Sequence, residues 1–356
     1  MSTQRNLRGV ALRAVPRVAG FTLIELMIAM ILGLIVIAGV TSVFLAGQQS
    51  FRTNNALADV QDSSRIAFEL MARDIRQAGL TGCNSLNSRV TNVLANSPGN
   101  AATPAWWADW NNAVHGYDDA STDPALTGLT SGTPVAGTSS LELLSAGDAA
   151  YTIANDVPGT GFKINTTTYD LSIGDIIIAC SPDHAAIMQI TGQNITNVQV
   201  NYNTGSKVSP GNCSNNLGFP NTNCAGNSPD YTFPPNSKIA KLTAADWYIG
   251  VNPVGGKSLY RVSLQNNAGT ASAVPQEMVR NVTGMTITYL NPSIGAISAK
   301  FVNAATMTAD NGWAGVTAVQ VQLQVQSTFQ RATTGATPTA LSRTYAFTTT
   351  LRNRVN

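Results

Sequence analysis

Charge is scarce in this 356-residue sequence: Asp, Glu, Lys and Arg together make up 11% of it. Removing Arg5, Arg8, Arg13 and Arg17, which hold all the charge of the first twenty residues, leaves 17 basic residues against 19 acidic ones. A balance that close to neutral, on the acidic side, gives no electrostatic help to nucleic-acid binding, so no nucleic acid is expected as a partner. Histidine is nearly absent too. His115 and His184 are the whole supply, and no cysteine pair has the two-to-four-residue spacing of a zinc site. No Gly-rich phosphate loop occurs, and Asp183-His184 comes without a serine elbow or a second acid motif, so it reads as a turn with a solvated histidine. Asp119, Ser121 and Asp123 have the alternate spacing of a calcium loop, but Pro124 replaces the required glycine and Thr130 the twelfth-position glutamate. With no convergent acid, base and nucleophile, the expectation is a non-enzyme without a cofactor.

What the sequence does have is one long apolar run. Leu26 to Ala46 carries no charge, and about twenty apolar residues at a 1.5 Å rise cross a hydrocarbon core of roughly 30 Å. The basic, acid-free residues 1–20 keep that end cytoplasmic and direct the bulk of the chain outward. A cleaved secretory signal fits poorly, because the run is too long and Phe44 stands where a small residue is wanted. Glu25 is the anomaly. A carboxylate at the centre of a span costs about 2.5–3.5 kcal/mol, less near the interface, and its presence there is by default a functional signal.

The stretch Gly20-Phe21-Thr22-Leu23-Ile24-Glu25-Leu26, after a short basic leader and before a long apolar helix, resembles the class III leader of type IV prepilins and type II secretion pseudopilins. That resemblance implies cleavage by prepilin peptidase between Gly20 and Phe21 and N-methylation of Phe21. It also implies that Glu25, fifth in the mature chain, pairs with the free amino terminus of a neighbouring subunit during assembly. Three later stretches are similar to the PilW family of minor pilins: Met71 to Cys83, Leu259-Tyr260-Arg261, and Thr344 to Arg354. The family implies a subunit that primes pilus assembly at the inner membrane and stays at or near the fibre tip. Its implied partners are other minor pilins, the major pilin, the assembly platform and a tip adhesin. A type II secretion minor pseudopilin, or a tip adhesin with its own ligand, is the alternative. Ser42 stands where many major pilins carry a helix-breaking proline, which puts a locally melted span in doubt here.

The expected organisation is therefore a leader at 1–20, a membrane and assembly helix at 21–46, its amphipathic continuation at 47–79 and a β-rich periplasmic head at 80–356. The second half of the helix is amphipathic, with Leu57, Val60, Ser64, Ala67, Phe68, Met71 and Ile75 on the apolar side and Arg65, Glu69, Arg73, Asp74 and Arg76 on the wet side. Gly79 reads as its C-cap. In the head, strands are expected at 140–144, 175–180, 186–190, 197–202, 247–251, 258–262 and 285–289. A further strand, 316–326, alternates Val and Leu323 with Gln, so one face is buried and one wet. The expected class is α+β, with the helix packed on an antiparallel sheet. Residues 84–138 and 203–237, rich in Asn, Ser, Gly and Pro, are expected as functional surface or as partly disordered loops, with Trp106, Trp107 and Trp110 packed within the first. Cys83, Cys180, Cys213 and Cys224 are an even set in an exported head, so disulfides are expected. Three pairings are possible. Cys213 and Cys224 bracket one loop and are the easiest to close, which leaves Cys83 to tie the helix exit to the strand at Cys180.

Overall fold

The computed structural model describes residues 20–83, 89–148, 151–205, 207–220, 224, 228–293, 300–333 and 339–352. The leader, apart from Gly20, lies outside the described residues, as do Asn353 and Arg354. Helix α1 spans Leu23–Gln77. Its composition of Leu, Ile, Ala and Met favours a helix, and Gly79 just beyond the end takes φ 75°, the left-handed conformation that terminates one at least cost. Ser42 leaves the helix intact, its hydroxyl donating to the Gly39 carbonyl at 2.8 Å. The contacts divide the chain into two units, residues 1–54 and 55–356.

The first unit is bare. Its large apolar side chains, from Phe21 at 83% exposure to Leu45 at 56%, touch no core.

The second unit is built of β-sheet around the rest of α1. Its strands are β1 (Arg89–Asn92), β2 (Val114–Tyr117), β3 (Ser140–Ala146), β4 (Tyr151–Val157), β5 (Gly161–Ile164), β6 (Ile176–Cys180), β7 (His184–Gln189), β8 (Gly192–Asn194), β9 (Gln199–Asn201), β10 (Lys238–Val251), β11 (Lys257–Asn267), β12 (Thr270–Arg280), β13 (Val282–Leu290), β14 (Ala318–Gln326) and β15 (Ser342–Thr350). A short helix α2, Ala304–Ala309, lies between β13 and β14. Strand β10 organises the larger sheet: its first residues pair with β4 and β6, and its later ones with β3 and β11. The smaller sheet runs β13-β14-β15. The pairings are antiparallel except that of β1 with β7, a parallel pair made possible by the long crossover between them. The expected α+β class with an antiparallel sheet is present, and this one parallel ladder is added to it.

Val60, Ala67, Met71 and Ile75 of α1 are fully buried against Val319, Val321, Leu323 and Val325 of β14. Gln322 and Gln324 of the same strand face water. Each buried aliphatic side chain contributes about 1.5–3 kcal/mol, so this seam is the main force fastening helix to sheet. Leu57, expected on the apolar stripe, is 36% exposed; Ala56 takes its place, packed on Ala332 and Leu341. Ala56 lies four residues before Val60 and so shares its face of the helix.

In the Asn- and Ser-rich regions the described residues are held by local polar contacts. Within 84–138 the described residues hold β1, β2 and short 3-10 turns capped by their own acids: Asp119 accepts from Ser121 N at 2.9 Å and Asp123 from Ala125 N at 2.8 Å. Trp107 is buried, with Trp106 and Trp110 packed beside it. In the second region Asn212 is an internal hub: its amide donates to the carbonyls of Gln189 and Tyr202, while its carbonyl accepts from Gln189 N at 2.7 Å. Short polar side chains bonded to nearby backbone replace regular ladders in these stretches.

Candidate functional site

At the start of α1, Thr22 is the N-cap. Its hydroxyl accepts from Glu25 N at 3.3 Å and its carbonyl from Leu26 N at 3.2 Å. Thr22 and Glu25 thus occupy the N-cap and N3 positions of a capping box, a signal present in the residues but absent from the expectations above. Glu25 lies in the first helical turn, where the helix dipole favours an anion. Beyond it the helix has a mean hydropathy of 2.7 over its most apolar window with nothing buried. Leaving so many side chains in water costs on the order of tens of kcal/mol, so lipid or other apolar helices must cover them.

The other end of the helix carries a second arrangement. Asp74 Oδ2 accepts from Arg261 Nε at 2.8 Å and from Trp247 Nε1 at 3.0 Å. The Arg261 guanidinium also lies over the Trp247 ring, 5.9 Å from its centroid. Asp74 was expected on the wet side of the helix; its side chain is instead 15% exposed and saturated with donors. Helical period alone cannot show this, because the partners lie 173 and 187 residues away. Beside this latch, Arg73 and Gln77 line a groove of about 390 Å³ together with Thr243 and Met278. Arg352 N donates to the Arg76 carbonyl at 3.3 Å, and the neighbouring Leu351 is fully buried. The three local stretches that carry the PilW resemblance therefore meet at the exit of α1.

A third tie lies further up the helix, where Asp59 accepts from Thr328 N at 2.8 Å and Thr328 Oγ1 at 2.9 Å. At 1.5 Å per residue the two acids hold the helix at points about 22 Å apart. Gly79 N donates to the Leu144 carbonyl at 2.7 Å, and Ala146 N to that of Leu80 at 2.7 Å, so the chain leaves the helix along β3. Disulfides join Cys83 to Cys180 and Cys213 to Cys224. The first staples the helix exit to β6 across 97 residues; the second closes an 11-residue separation.

The remaining candidates take up local structural roles. His184 is a correction: it is 3% exposed, not solvated, and its Nε2 meets the Leu217 carbonyl. Burial lowers its pKa. Ser181 bonds to Asp183 at 2.9 Å and to Tyr231 rather than to the imidazole, so no serine-histidine pair forms. Asp119 and Asp123 each bond to turn backbone. Among the described residues no group of three or more His, Cys, Asp and Glu is placed to hold a metal ion.

An uncovered apolar helix with an acid in its first turn, in a chain that also forms a β-rich unit, is long and apolar enough to cross a membrane, and with the leader motif it suggests a membrane-anchored pilin. Residues 16–41 match the family profile of the prokaryotic N-terminal methylation motif, and residues 246–353 match that of type IV pilus-assembly protein W. The second match runs from Asp246, beside the latch tryptophan, through β15. No curated protein and no solved structure matches the chain. The two matches support a PilW-like pilin related to type IV pilus assembly, and such families imply contact with other pilins and with the pilus machinery.

Proposed function

We propose that this chain is a minor pilin that primes pilus assembly at the inner membrane and is carried at or near the fibre tip. Prepilin peptidase removes residues 1–20 by cutting after Gly20, and Phe21 becomes the methylated amino terminus. Residues 21–46 then anchor the protein, amino terminus cytoplasmic, with 47–79 continuing the helix into a periplasmic head formed by 80–356. Assembly moves the anchor from lipid into a bundle of like helices. Both surroundings are apolar, so association gains little from burial alone and relies on packing and on polar partners. The observation that carries this reading is Glu25 in the first turn of a helix that carries no other charge until Arg52. Unpaired in an apolar core that carboxylate is costly; against the ammonium of a neighbour's Phe21 it is compensated, which makes it a registry device.

The test is Glu25→Ala in the native chain. The variant should insert in the membrane and have the mass expected for loss of residues 1–20 plus one methyl group, yet fail to support pili and twitching. Normal piliation by a processed Glu25→Ala protein would refute the role given to Glu25.

A further inference from the structure

Three carboxylates meet inside the head with almost nothing basic beside them. Glu142 on β3 lies directly across from Asp246 on β10 and, on its other side, from His115 on β2. Asp123 reaches the same place from the turn before β3, its Oδ2 accepting from Ser140 Oγ. Asp123, Glu142 and Asp246 are 1%, 6% and 0% exposed. Among the described residues only Glu142 has a basic group within 4.0 Å, His115 at 3.7 Å, and burial holds that imidazole below its ordinary pKa. The other ionisable groups facing the cluster are acids or phenols: Asp109 and Asp118 flanking β2, Tyr117 on it, Tyr248 on β10 and Tyr289 on β13.

Three ionised carboxylates cannot share such a site, since each buried charge needs a partner. Asp123 has donors: Ser140 Oγ and Ala125 N. Glu142 Oε1 and Asp246 Oδ2, in contrast, have no hydrogen-bond partner among the described residues, and Asp246 accepts only through Oδ1, from Leu141 N at 3.2 Å. The donor set marks Asp123 as the charged acceptor and its two neighbours as neutral acids. What this holds down is the segment 118–139. It carries Asp123, and its Ala120, Ala125 and Leu126 pack over the stacked rings of Tyr248 and Tyr260, 5.6 Å apart.

We propose that Asp123, Glu142 and Asp246 form a proton-held clasp, in which neutral Glu142 and Asp246 donate to ionised Asp123 and so fasten residues 118–139 over β10 and β11, and that proton release at alkaline pH frees the segment. Burial raises the pKa of all three acids; hydrogen bonds to Asp123 oppose the rise there, whereas burial and the neighbouring acids push Glu142 and Asp246 well above the ordinary carboxylate range, in agreement with that geometry. The head then has a face that loosens in base and uncovers two tyrosines, independently of how the subunit enters the fibre.

Hydrogen exchange of the full chain in detergent micelles, corrected for intrinsic exchange, tests this between about pH 6 and about pH 9. Protection of 118–139 should fall by about tenfold per pH unit for each proton released, while that of β14 holds. The Glu142→Gln/Asp246→Asn variant keeps neutral donors at every pH and should lose this dependence. Infrared spectra of the unaltered protein give a measurement that needs no variant: a protonated-carboxyl band present at neutral pH and lost in base. Absence of that band, or equal protection of 118–139 at both pH values, would overturn the clasp. So would stabilisation by calcium or magnesium that the double amide variant abolishes, since a cation would then be the counter-charge.

Discussion

Asp74→Ala removes the acceptor that holds two buried donors at the helix exit. The loss takes away an ion pair to Arg261 at 2.8 Å and a bond from Trp247 Nε1 at 3.0 Å, and leaves both donors without it. Breaking a fully buried pair costs about 3–5 kcal/mol. The side chains here are 15% and 20% exposed and border an open groove, so water can solvate part of what is stranded. The expected loss is therefore about 2–3 kcal/mol, which lowers the melting temperature of a head this size by roughly 3–5 °C. Thermal unfolding of the full chain in micelles, followed by near-ultraviolet circular dichroism, reads it directly through Trp247. Asp74→Asn should recover part of the loss by accepting from Trp247. In a double-mutant cycle with Arg261→Ala, the coupling should be about 1–2 kcal/mol. A loss below about 0.5 kcal/mol for Asp74→Ala would show that the latch contributes only what a surface pair does, and the reasoning would fail.

Breaking the Cys83–Cys180 bridge with Cys83→Ser should destabilise the head by about 4–5 kcal/mol, against about 2–3 for Cys213→Ser, because the longer loop has more entropy to regain; chemical denaturation measures both. Gly116→Ala should prevent correct folding or cost more than about 3 kcal/mol, since its Cβ would come within 1.8 Å of the buried Tyr289 hydroxyl; soluble yield and melting temperature report it. His115 and His184 are held below the ordinary imidazole value of 6.5 by burial. Below that value the unfolded chain binds more protons than the folded one, so their contribution to stability is present above it and is lost as the pH falls through the folded values. Melting temperature should decline on acidification, and His184→Phe should lessen the decline.

The features legible in the residues were those with a local period or a local chemical meaning. The helix shows through its uninterrupted apolar run, β14 through alternation of Val with Gln, and the helix stop through Gly79. Strands β12 and β15 were not legible as strands. Pro275 interrupts the pattern of β12 and is tolerated because that strand lies at the edge of its sheet; β15 has four threonines among its nine residues and is largely exposed. His184 looked like a turn residue because its neighbours are Pro182 and Asp183, and only the packing of Leu217 and Phe233 against it shows it as a core group.

The sequence by itself determined the leader motif, the long apolar helix and the presence of a β-rich head, because apolar length and strand alternation are properties of adjacent residues. Tertiary structure alone decided the fate of the acids. Asp74 becomes a latch, Asp59 a tether and Asp246 part of a buried cluster, although each reads in the sequence as an ordinary carboxylate. Their roles depend on which strand lies opposite, over separations of a hundred residues and more, and a charge in a low-dielectric interior is governed by the groups within a few ångströms of it, however far along the chain they lie.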